Sequence, residues 1–242
     1  MKILNCACLA VGLLLAAALP ITAQATSPAA GDRSAASELA AHSWEWGPFL
    51  QGGFGVADRS DFHLLSAGAR LGKVLTDEHL GSIFRGRFEY AGELMPYWQA
   101  FTPPPHTQTF PVRDPVTGLI YQEPFPVGGG TYTGLSLTPI ILRWDLHPHG
   151  RLVPWVQGAG GLVYTTHKFP PDVLVQHGQP GGTSVWNFTP QFGFGLHYFV
   201  CPGRSINFAA NAIHISSASL GDRNPGVNAS VQFQIGYTFW TR

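Results

Sequence analysis

The stretch that decides the fold is Trp186-Asn187-Phe188-Thr189-Pro190-Gln191-Phe192-Gly193-Phe194-Gly195-Leu196-His197-Tyr198. Every second residue is large and apolar: Trp186, Phe188, Pro190, Phe192, Phe194, Leu196 and Tyr198. The residues between them (Asn187, Thr189, Gln191, Gly193, Gly195, His197) are polar or small. A period of two puts the sets on opposite faces of a strand. Aromatic rings mark both ends of the apolar face, as interfacial girdles do on a strand that crosses a bilayer.

The pattern recurs on both sides of this stretch. Near the C-terminus, Val231, Phe233, Ile235, Tyr237 and Phe239 alternate with Gln232, Gln234, Gly236 and Thr238. Upstream, Phe84, Gly86, Phe88, Tyr90 and Leu94 are backed by Arg85, Arg87, Glu89 and Glu93. Four charges behind an apolar face do not suit a sandwich core. They suit a barrel lumen, where opposite charges pair. The pattern predicts eight strands, at about 44–57, 62–75, 81–95, 131–146, 151–165, 184–200, 204–217 and 228–241. Gly52, Gly53, Gly55, Gly158, Gly160 and Gly161 are expected to relieve lumen crowding and let the sheet curl. His147-Pro148-His149-Gly150 and Cys201-Pro202-Gly203 read as tight turns, and residues 96–130 and 167–183 as long loops rich in Pro and Gly. The expected fold class is therefore all-β, an eight-stranded antiparallel transmembrane barrel. A secreted β-sandwich is the competing architecture.

Composition agrees. Charged residues make up only 12% of the chain and the formal net charge is zero, against about 25% charged in a usual soluble domain. No basic block points to nucleic acid. Met1-Lys2, the apolar run Leu9 to Ile21 and Ala23-Gln24-Ala25 read as a signal peptide over 1–25. Residues 26–43 read as a flexible leader, and 44–242 as the barrel. Localisation to a Gram-negative-type outer membrane follows. Cys6 and Cys8 fall inside the signal, which leaves Cys201 with no partner for a disulfide.

The seventh strand carries Ile206, Phe208, Ala210, Ala212, His214 and Ser216 on one face. His214 and Ser216 are neighbours there, with Cα atoms about 6.5–7 Å apart. A His beside a Ser is the minimum for a base-activated nucleophile. On an apolar face, such a pair would act on membrane lipid. Alone it is a weak signal, and a His and a Ser hydrogen-bonded to headgroups at the interface are the simpler reading. His147 and His149 form another possible pair, but no Cys or carboxylate cluster accompanies them, and a solvated turn is the simpler reading. Gly128-Gly129-Gly130 lacks the Lys-Ser/Thr of a phosphate loop.

His214-Ile215-Ser216-Ser217-Ala218 followed by Asn224-Pro225-Gly226-Val227-Asn228 resembles the signature of the PagL-type lipid A 3-O-deacylases, H-x-S-N-A then N-x-G-x-E. Phe188–Gly195 and Gln232–Tyr237 are also similar to that family. The resemblance implies a serine esterase that removes an ester-linked 3-hydroxyacyl chain from lipid A. It implies Ser216 as nucleophile and His214 as general base. Asn228 stands where the family carries a Glu that orients the His, and Ser217 where it carries an Asn. Ser217, Asp222, Asn224 and Gly226 are the candidates for oxyanion or supporting roles. No metal or cofactor is implied. The expected partner is lipid A or lipopolysaccharide of the outer leaflet, with a homodimer as a candidate assembly. A catalytically silent lipopolysaccharide-binding or structural barrel is the alternative, favoured by Asn228. An unrelated barrel acting through its long loops is a third reading.

Overall fold

The computed structural model describes residues 35–104, 106–127, 129–171, 183–222 and 228–242. Its strands are β1 (Trp44–Gly55), β2 (His63–Val74), β3 (Gly86–Phe101), β4 (His106–Arg113), β5 (Ile120–Val127), β6 (Thr131–Leu146), β7 (Leu152–Phe169), β8 (Ser184–Phe188), β9 (Gln191–Cys201), β10 (Arg204–His214) and β11 (Ala229–Thr241). One helix, α1 (Ala35–Ala41), precedes them. The sheet order β6-β3-β2-β1-β11-β10-β9-β7 is closed by pairing between β6 and β7. With β8 extending the line of β9 along β7, this is an eight-stranded antiparallel barrel. Closure removes the sheet edges. Among the described residues, no helix is long and apolar enough to cross a membrane; the crossing is made by strands.

Period two orients the side chains as the sequence predicts. Along β9, Phe192, Phe194 and Tyr198 face outward, while His197 is fully buried in the lumen. Leu71, Leu94, Leu135, Leu142, Phe208, Phe233 and Ile235 add to an apolar outer surface. The result is an outer-membrane-type barrel, with lipid as the solvent of its outer face.

The lumen is layered. At the turn end, Ala35 and Leu39 of α1 pack with Val74, Val153, Phe199 and Trp240. Deeper in lies a charged layer. Arg70 pairs with Glu45, with Glu89 at 2.6 Å and with Glu93 at 3.3 Å. Arg143 reaches Glu45 at 3.4 Å, lies 2.9 Å from His197 Nε2 and stacks 3.9 Å over Trp155. Amides follow: Gln51 donates to Gln232 and accepts from Asn211. An apolar cluster that includes Phe62, Trp98, Tyr132, Phe169, Ile213 and Ile215 fills the loop end.

Several boundaries differ from expectation, each for a local reason. The third strand, expected over 81–95, is Gly86–Phe101. A short 3-10 turn at Ser82–Phe84 delays its start. A register shift between Met95 and Trp98 lets it continue with both side chains inward. The fifth strand runs on to Phe169. The sixth is interrupted at Thr189-Pro190, where proline has no N–H for the ladder. The seventh ends at His214 rather than 217, and Ser216 keeps only an isolated bridge to Phe188. The long loop expected over 96–130 contains the β4–β5 hairpin, whose strands are both edges and so tolerate Pro111 and Pro124. The leader expected to be flexible over 26–43 is helical from 35 to 41, because Ala35 and Leu39 bury against the turn end of the lumen. The signal-peptide expectation for 1–25 lies outside the described residues.

Candidate active site

β10 delivers His214 to the outer face. Its inward residues are Ser205, Asn207, Ala209, Asn211 and Ile213, all buried, so the alternate set ending in Ala212 and His214 faces lipid. The His214 backbone N–H donates to Pro190 O at 3.0 Å, which uses the carbonyl at the break between β8 and β9. Two residues on, the Ser216 N–H donates to Phe188 O at 2.9 Å, and the Phe188 N–H donates to Ser216 O at 2.7 Å. Ser216 is thereby held against β8 beyond the end of the regular ladder. Ala218 then adopts φ +47°, a left-handed conformation that costs a non-glycine residue energy. The turn brings the Ala218 N–H to Ser216 Oγ at 3.1 Å. His214 and Ser216 are both half-buried.

The other sequence candidates separate from this pair. Asn228 is buried and precedes β11, whose even-numbered residues Ser230, Gln232 and Gln234 face the lumen. Its side-chain amide donates to Ile215 O at 3.2 Å, and its backbone O accepts from the Ile215 N–H at 2.8 Å. The structure thus turns Asn228 toward the backbone of the residue between His214 and Ser216, not toward the imidazole. The register explains this: His214 pairs with Ala229, one residue out of phase with Asn228. Among the described residues the His214 ring has no hydrogen-bond or ion-pair partner. Ser217 is fully buried. Asp222 is exposed, and Asn224 and Gly226 lie outside the described residues. The second histidine pair has a structural use: His147 Nδ1 donates to Glu78 at 2.9 Å, and the His147 and His149 ring centroids lie 5.9 Å apart. Partial burial pushes the Glu78 carboxyl up, but hydrogen bonds from His147 and Arg85 outweigh it and hold the group below the usual carboxylate range.

Below His214 the outer face is hollow. A groove of about 530 Å³ is lined by Gly158, Pro190, Phe192, Ala212, His214 and Ala229. It shares Gly158 and Phe192 with a second depression of about 320 Å³ bounded by Phe88, Leu142 and Val156. A Cβ built at Gly158 or Gly160 meets no atom within 4 Å. These two glycines therefore open the outer surface, where the sequence reading had them relieve the lumen. Parity along β7 was the available signal, since Gly158 shares its face with Val156.

A model of the PagL family, the lipid A 3-O-deacylases, matches residues 84–238. The chain belongs to that family. The matched span holds every residue of the pair, the groove and the clamp on Ile215. Two solved structures resemble the chain. "Crystal structure of the outer membrane enzyme PagL" is 16% identical and covers 79% of this chain and 98% of its own, with a TM-score of 0.41. The outer membrane protein OprG from Pseudomonas aeruginosa is 11% identical and covers 84% and 97%, with a TM-score of 0.38. Among curated proteins, none matches the chain.

Proposed function

We propose that this member of the PagL family is an active lipid A 3-O-deacylase using Ser216 and His214. The observation that carries the reading is the placement of the pair. Both residues are half-buried and alternate with the buried Ile213, Ile215 and Ser217 at the loop end, where an outer-leaflet lipid would present its ester, and an apolar groove begins at His214. In the reaction, Ser216 Oγ attacks the ester carbonyl as His214 takes its proton. The tetrahedral intermediate collapses and the ester C–O bond breaks. His214 returns the proton to the departing sugar oxygen, and the 3-hydroxyacyl group remains on Ser216. Water, deprotonated by His214, then releases the fatty acid and regenerates the serine. The substrate's acyl chain lies in the groove over Gly158 and Ala212. Asn228 acts as a positioning residue, fixing Ile215 and with it the spacing of the pair.

The test is to incubate the purified barrel with lipid A in detergent and follow the substrate mass. Loss of one 3-hydroxyacyl chain in the wild type, abolished in Ser216→Ala, supports the reading. No loss in the wild type, or equal loss in Ser216→Ala, overturns it. The uncoordinated imidazole and the inward amide of Asn228 favour a second reading, a silent lipopolysaccharide-binding barrel. Activity that appears only in Asn228→Glu would support that alternative.

A further inference from the structure

The opposite leaflet meets a different surface. At the turn end of the outer face, Lys73 of β2 holds its ammonium 4.8 Å from the Trp44 ring centroid. Arg204 of β10 holds its guanidinium 5.4 Å from the Phe239 ring. Register joins the two sites: Lys73 pairs with Trp44, and Arg204 pairs with Phe239, which faces Trp46 in a stack at 4.5 Å. Neither cation has an ion-pair partner among the described residues, whereas Arg85, at the same end, is paired with Glu78 at 2.6 Å. The rings keep both cations at the interface with their hydrogen-bonding capacity unspent.

Of the two cations, Lys73 heads a groove. Beside Lys73, a depression of about 540 Å³ is lined by Leu71, Tyr90 and Leu94 and floored by Ala69 and Gly92. From the level of Lys73 to that of Ala69 it extends ~13 Å along the strands. The hollow has a structural origin. The register shift between Leu137 and Ile140 displaces Pro139, whose carbonyl accepts from the Tyr90 hydroxyl at 2.7 Å. That bond satisfies a backbone group in a region with no water, and keeps the Tyr90 ring as a wall.

We propose that this groove is a binding site for one anionic phospholipid of the inner leaflet, with its phosphate on Lys73 and an acyl chain lying over Gly92. The strand topology sets the leaflet: Lys73 is at the end with the termini and the Cys201-Pro202-Gly203 turn, away from His214. Charge complementarity sets the headgroup. A net-negative lipid offsets the unpaired ammonium, whereas a zwitterionic headgroup brings its own cation. The site is on the far side of the barrel from the Ser216 pair, and its occupancy does not depend on deacylase activity.

The test uses the full-length barrel in detergent with an equal mixture of phosphatidylglycerol and phosphatidylethanolamine, read by native mass spectrometry. One phosphatidylglycerol per barrel is expected, retained about fivefold over phosphatidylethanolamine. Lys73→Gln lowers that retention about fivefold. Gly92→Leu, whose added Cβ has ordinary contacts at 3.5 Å or more, removes it while the barrel stays folded. Arg204→Gln, which alters an interfacial cation outside this groove, leaves it unchanged. Equal retention of both lipids, or an equal loss in Arg204→Gln and Lys73→Gln, overturns the site in favour of diffuse attraction. A dimer that Gly92→Leu separates also overturns it, because a second copy would then occupy the groove.

Discussion

The charged layer inside the barrel and the His–Ser pair on its surface use similar side chains under opposite conditions. In the lumen, Arg70 alone meets Glu45, Glu89 and Glu93, and Arg143 meets Glu45, Gln157, His197 and a Trp155 ring. At the surface, the His214 imidazole has no bonded partner among the described residues and borders an open groove. Buried groups engaged with one another hold an assembly together and are closed to a substrate. An unbonded ring contributes little to the fold, and under the proposed function it is the group free to take a proton. Stability and activity are therefore expected to separate cleanly between the two regions.

The sharpest break is Ser216→Ala. Deacylation should fall about 10³-fold or more with the melting temperature unchanged, as shown by lipid A mass spectra and thermal unfolding. Arg143→Ala should do the reverse. It takes one of the two arginines from Glu45 and the neighbour of His197 Nε2 out of the buried layer and should cost about 3–5 kcal/mol, seen as loss of the heat-resistant folded band on gels. Gly158→Leu probes the boundary between the regions. Its Cβ enters open space, so folding should persist, while activity on long-chain lipid A drops roughly 10-fold as the groove fills. The smallest effect is expected at the solvated turn. Glu78→Gln should cost about 1 kcal/mol or less. Because the folded-state carboxyl is held below its unfolded value, the stabilisation lost in Glu78→Gln is present at neutral pH. In the wild type it fades on acidification through the lowered value, so the two proteins should converge in unfolding curves at low pH.

The closed sheet was legible because its determinant is local and repeated. Alternation along 186–198 and 231–239 needs no knowledge of partners. The inward charges of Glu89 and Glu93 were legible in the same way, and Glu45, Arg70 and Arg143 could have been read from the parity of their own strands. What stayed hidden depends on pairing between distant segments. Asn228 follows the signature in spacing, yet its direction is set by the His214–Ala229 register between β10 and β11, joined by the 215–228 connection. The Met95–Trp98 and Leu137–Ile140 shifts change which face a residue takes without a mark in composition. The helix over 35–41 was hidden because seven residues, although rich in helix-favouring Ala, Glu and Leu, are too few to hold a helix without the apolar surface they cover.

That helix has a consequence for assembly. The four side chains that receive Ala35 and Leu39 come from β2, β7, β9 and β11, which converge only after the first and last staves have zipped together. The stopper cannot seat in a half-rolled sheet. A protease site placed within 35–41 would thus become shielded only in finished molecules, giving the cylinder its own indicator of completion.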